Sequence, residues 1–164
     1  MKTVLLGMTL KELEALCNAH GLPRFTASQM AGWLYKKKVS DISGMTNISK
    51  AARERLSESC EVGAVRYTDV VTSSDGTRKY AFPAADSRAV ETVMIPDSDR
   101  STICVSCQAG CKMGCKFCMT GRQGFHGNLT AAEILSQFTG IDESDVLTNA
   151  VFMGMGEPLD NWEN

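Results

Sequence analysis

The 164-residue sequence lacks any long hydrophobic run. Although 43% of its residues are hydrophobic, nothing approaches the roughly 20 consecutive apolar residues that a membrane span requires. A secretory leader is also missing, because Lys11, Glu12 and Glu14 follow the short patch Val4-Leu5-Leu6 too closely. Net charge is scarce: the formal value is −2, which gives no general warrant for a nucleic-acid binder. Internal repeats and low-complexity segments are absent. Together these absences exclude membrane, fibrous and disordered classes. They leave a soluble globular chain, expected in the cytoplasm as a monomer, with one domain or one small domain and part of another.

The near-neutral total hides an asymmetry. Residues 1–60 hold nine Lys/Arg against five Asp/Glu, while residues 61–164 hold eight against fourteen. The first third can therefore face an acidic partner although the whole chain cannot. Cysteine is what the chain has in abundance, seven in all. Cys17 and Cys60 stand apart; Cys104, Cys107, Cys111, Cys115 and Cys118 crowd together. An odd total in one dense cluster argues against an extracellular disulfide framework and for a metal or redox site in a reducing compartment.

Three segments differ in rhythm. Residues 1–60 read as short helices: Thr9 to Glu12 has capping-box spacing, Thr26-Ala27-Ser28-Gln29 looks like a second start, and Ser49 opens a third helix through Ala52 and Leu56. Residues 61–100 read as a small antiparallel sheet, with a turn at Ser74-Asp75-Gly76, a return strand over 78–82 and a third strand over 89–95. Residues 101–164 read as strand, Cys- and Gly-rich loop, helix and strand. That is a βαβ unit, the seed of a parallel α/β sheet.

Two ligand sets compete within the cysteine cluster. Cys104-x2-Cys107 and Cys115-x2-Cys118 form two zinc knuckles, which leaves Cys111 unexplained. Cys111-x3-Cys115-x2-Cys118 instead offers three soft thiolates for three irons of a four-iron cluster, with the fourth iron open to substrate. Gly110, Gly114 and Gly121 would let the loop wrap a bulky inorganic core.

The run Cys111-Lys112-Met113-Gly114-Cys115-Lys116-Phe117-Cys118 resembles the CxxxCx-aromatic-C motif of the radical S-adenosylmethionine superfamily. Val90-Glu91-Thr92-Val93, Cys104-Val105-Ser106, Gln108-Ala109-Gly110-Cys111, Gln123-Gly124-Phe125 and Met153 to Pro158 resemble the RlmN/Cfr family of radical RNA methyltransferases. The resemblance implies an α/β fold: the start of a partial (βα)6 barrel, here 101–164, preceded by a helical RNA-binding accessory domain (1–60) and the antiparallel sheet (61–100). It implies a [4Fe-4S] cluster on Cys111, Cys115 and Cys118, and S-adenosylmethionine whose methionyl part meets Gly156 and Glu157. Cys104 matches the family's resolving thiol, which forms a transient disulfide with a methyl-carrier cysteine, and Glu91 its proton acceptor.

The implied substrate is adenine carbon 2 of 23S rRNA, with a tRNA anticodon-loop adenine as a second target. Electrons would come from a reductase or flavodoxin-type donor protein. Carbon-8 methylation by relatives and a non-enzymatic zinc-knuckle RNA-binding module are the alternatives. Two departures stand out. The carrier cysteine, near the family's C-terminus, has no counterpart among these residues, and Cys107 stands where the family usually has serine, so that a fourth thiol could compete for metal or form an adventitious disulfide.

Overall fold

Thr9 opens helix α1 (Leu10–Ala19) through a full capping box: its hydroxyl accepts from the Glu12 N–H, and the Glu12 carboxylate accepts from the Thr9 N–H at 2.6 Å. The architecture that follows is that of a computed structural model, which describes residues 2–84 and 88–164. It divides into two compact units, Met1–Ala64 and Val65–Asn164.

In the first unit, α1 is followed by α2 (Phe25–Ala31), which runs into one π-helical turn over Gly32–Lys36, and by α3 (Lys50–Ser59), capped by Ser49. The second helix starts earlier than the sequence suggested. Arg24 is its N-cap, without a side-chain hydrogen bond, and Thr26 is buried inside the helix rather than capping it. Pairing of β1 (Thr3–Val4) with β2 (Cys60–Glu61) closes the unit in parallel. Its core gathers Leu5, Leu13, Cys17, Met30, Leu34, Met45 and Leu56, all at most 1% exposed. Cys17 and Cys60 belong to this core.

The second unit is built on a five-stranded sheet in the order β3 (Asp69–Thr72), β4 (Arg78–Pro83), β5 (Ala89–Asp97), β6 (Arg100–Cys104), β9 (Asn149–Val151). Neighbours are antiparallel up to β6, and β6 pairs with β9 in parallel. Residues 85–87, between β4 and β5, lie outside the described residues. The division drawn in the sequence at residue 100 thus runs through a continuous sheet, with β5 and β6 joined by a tight turn. The apolar alternation of β5 puts Val90, Thr92 and Met94 on one face, beside Tyr80, Phe82 and Ile103 of neighbouring strands. Helix α5 (Ala131–Thr139) covers that face, opened by a second capping box between Thr130 and Glu133. The opposite face carries Lys79, Glu91, Val93 and Cys104, all exposed or half-buried.

Candidate active site: the cysteine loop and its turn

Between β6 and α5 the chain makes a second, small sheet. Strand β7 (Gln108–Gly110) pairs antiparallel with β8 (Phe125–Asn128), and the segment they enclose is the cysteine loop. The base of the loop is tight. Gly110 has φ 77°, and a Cβ there would stand 1.8 Å from the Gly124 carbonyl oxygen, so glycine is required on both conformational and steric grounds. The Cys111 N–H then donates to Gly124 O at 3.0 Å. Beyond this clamp the loop is solvent-facing. Cys115 is exposed, Cys111 and Cys118 are half-buried, and Phe117 is 91% exposed.

Cys118 caps the short helix α4 (Met119–Arg122). Backbone N–H groups of Gly121, foremost, and of Thr120 hold its thiol below the ordinary cysteine range, which favours the ligating thiolate. All seven cysteines are free thiols. Among the described residues, no three His, Cys, Asp or Glu side chains converge on a point that could hold a single metal ion. Three soft donors on one closed loop are the donor set of a polynuclear cluster, in which each thiolate takes its own iron.

Cys107 differs from the loop cysteines in being buried. Its thiol is 3% exposed and lies under the turn after β9, where it donates weakly to Met155 O at 3.7 Å. Burial, and next the Glu157 carboxylate, push it up to about 11.

The turn Gly154-Met155-Gly156-Glu157 is laid directly on the backbone of 105–108. Gly154 N donates to Val105 O, and Met155 O accepts from the N–H groups of Cys107 and Gln108. At Gly156 (φ 101°) a Cβ would meet Gln108 N at 2.7 Å and the Cys107 sulfur at 2.9 Å. The Glu157 carboxylate caps the 3-10 turn Pro158–Asp160 by accepting from Leu159 N.

Glu91 and Cys104 share the uncovered face of the sheet. Cys104 is in register with Val93, two residues along β5 from Glu91. The Glu91 carboxylate pairs with Lys79 Nζ at 2.8 Å, both side chains about half exposed. The fold therefore brings Glu91 and Cys104 to one face, and brings Gly156-Glu157 against the entrance of the cysteine loop.

Sequence reasoning missed the buried polar residues that join these parts. Ser106 Oγ donates to Glu91 O at 2.6 Å and accepts from Met155 N at 2.8 Å. Gln137 of α5 accepts from Thr92 Oγ1 and Ser106 N and donates to Ser106 O. Asn161 Nδ2 donates to Cys107 O at 2.8 Å and Leu129 O at 2.9 Å. The one available signal was position: Ser106 and Gln108 interleave with the cysteines, and Asn161 closely follows the Gly-Met-Gly-Glu-Pro run.

Residues 3–62 match the family described as the ribosomal RNA large subunit methyltransferase N-terminal domain. Proteins called probable dual-specificity RNA methyltransferase RlmN are 54% identical over 160 residues in Porphyromonas gingivalis and 56% identical over 160 residues in Parabacteroides distasonis. These alignments cover 98% of this chain. Along nearly its whole length the chain is similar to RlmN proteins. An RlmN from Geotalea uraniireducens is 46% identical over 158 residues. The fold agrees: the crystal structure of a radical SAM methyltransferase from Sphaerobacter thermophilus superposes with a TM-score of 0.88 at 39% identity, covering 98% of this chain and 49% of that one. The chain spans about half the length of the curated RlmN relatives it matches, 46% of the Porphyromonas protein. Among the described residues, no helix is long and apolar enough to cross a membrane.

Proposed function

We propose that this chain supplies the cluster-binding and S-adenosylmethionine-binding elements of a radical RNA methyltransferase acting on adenine carbon 2 of 23S rRNA and on a tRNA anticodon-loop adenine. The observation that carries the reading is the cysteine loop: three free thiols in the CxxxCxxC spacing on a loop clamped at its base, with the glycine turn after β9 packed against its entrance. Cys111, Cys115 and Cys118 would hold a [4Fe-4S] cluster. When bound, that group supplies the one-electron reduction of the sulfonium of S-adenosylmethionine, which polar methyl transfer to an electron-poor carbon cannot replace. Gly156 and Glu157 would receive the methionyl part, Gly156 by keeping the turn free of a side chain.

On the uncovered sheet face, Glu91 would accept the proton leaving adenine, its negative charge supported by Lys79 at 2.8 Å. Cys104, half-buried and unpaired, would attack the methyl-carrier sulfur to release the product, forming a transient disulfide. We further propose that residues 1–60 grip RNA as an accessory domain, through phosphate contact by their surplus Lys and Arg. In this reading residues 61–100 extend the first strands of a partial (βα)6 barrel begun over 101–164. A reductase or flavodoxin-type protein serves as electron donor, and the protein acts in the cytoplasm. No cysteine follows Cys118, so the carrier thiol is not among these residues, and the 164 residues alone methylate no RNA.

Anaerobic reconstitution with iron and sulfide tests the reading. The chain should turn brown with sulfur-to-iron charge-transfer absorption, and Cys111→Ala, Cys115→Ala or Cys118→Ala should each abolish it. Tight stoichiometric zinc with no cluster would overturn the proposal in favour of a zinc-binding module.

A further inference from the structure

Gln108 is completely buried, and both N–H groups and the carbonyl oxygen of its side-chain amide are hydrogen-bonded. Its Oε1 accepts from the backbone N–H of Glu157 at 3.0 Å. Its Nε2 donates to Asn128 Oδ1 at 2.8 Å and to Asp160 Oδ2 at 2.7 Å. The amide cannot be turned over, because Glu157 N is only a donor and the Asp160 carboxylate only an acceptor. The same Asp160 oxygen takes Lys112 Nζ at 3.0 Å. Lys112 follows Cys111 directly, and its ammonium lies 4.3 Å from the centre of the Phe125 ring on β8. Lys112, and next Gln108, hold the Asp160 carboxyl below the usual carboxylate range, so it stays an acceptor.

From these contacts we infer that Gln108 is a positioning residue: through Lys112, Asp160, Gln108 and Glu157 it locks the cysteine loop and the Gly156-Glu157 turn into one fixed relative geometry. The inference rests on the proposed function for what that geometry serves, but the lock itself is a property of the chain. Asn161 fixes the exit of the turn to the backbone of Cys107 and Leu129. Gln108 is the side chain that reaches the turn's own backbone at Glu157. Leucine at this position would strand the Glu157 N–H and remove the donor from Asp160. Glutamate would keep the acceptor but face Asp160 with like charge.

Hydrogen–deuterium exchange on the metal-free 164-residue chain decides the coupling. Q108L and Q108E should each accelerate exchange about tenfold in both 111–124 and 154–160, leaving the β3–β4 hairpin unchanged. Acceleration in one segment only, or uniformly through the second unit, would overturn the inference.

A second readout uses the reconstituted cluster. Q108L should bind the same iron as wild type, yet need about ten times more S-adenosylmethionine to produce its change in the electron paramagnetic resonance spectrum. An unchanged requirement overturns the inference. A wild-type chain that takes up no cluster overturns the proposed function instead, and the exchange result still judges the lock.

Discussion

Gly110 and Gly124 face each other at the base of the cysteine loop with nearly the same backbone, φ 77° and 78°, yet their neighbourhoods differ. A Cβ at Gly124 meets nothing within 4 Å, whereas one at Gly110 strikes the Gly124 carbonyl. Gly124→Ala should therefore cost only the left-handed backbone penalty, about 1–2 kcal/mol. Gly110→Ala adds a clash with backbone that cannot swing aside, and its cost should exceed about 3 kcal/mol. Urea unfolding of the two variants measures the difference; equal midpoints would mean that the loop base is not closed as described. At this scale the thiols of the proposed ligand set stand out in the sequence, whereas the residues that support their loop do not. Cys111, Cys115 and Cys118 are read from spacing, because thiolate chemistry is local to the motif. Gln108, Ser106, Gln137 and Asn161 look in the sequence like ordinary polar positions, and only their partners, up to 54 residues away, reveal that they are buried and satisfied.

Helix starts were legible where the signal is contained in four residues. Thr9 with Glu12 and Thr130 with Glu133 form capping boxes as their spacing requires. Thr130→Ala should cost about 1 kcal/mol by freeing the first-turn N–H groups of α5. The expected result is a lower urea midpoint with an unchanged slope; no shift would mean that packing of α5 on the sheet, not its cap, sets its stability. The start of α2 misled because Thr26-Ala27-Ser28-Gln29 has the residue types of a cap, while tertiary packing draws Thr26 inward. Two pairings were invisible for a different reason. β1 with β2 joins residues nearly the whole first unit apart, and β7 with β8 is a short ladder with an irregularity beside Gly110. Neither has enough alternation to announce a strand.

At the scale of the molecule, the first unit has its own core of Leu5, Leu13, Met30, Leu34 and Leu56 and its own closing strand pair. Residues 1–64 expressed alone should therefore melt cooperatively with a helical far-UV spectrum, since domains of this size do fold unaided. A broad, non-cooperative melt would show that the unit depends on the rest of the chain. The charge asymmetry and the helical character of this unit were legible from composition and period. The merging of 61–100 with the parallel pair into one sheet was not, because strand order is a non-local property.

The clamp at Gly110 and Gly124 carries one further consequence, which concerns order of assembly. Joining the two ends of a flexible segment has an entropic cost that grows with the logarithm of its length, and here the β7–β8 ladder meets it with hydrogen bonds of the protein alone. A metal centre at the proposed thiols would then meet ligands whose loop ends are already joined by the protein's own backbone. In classical zinc fingers the metal folds the chain; a loop closed by its own ladder predicts the reverse order, with the chain folding first.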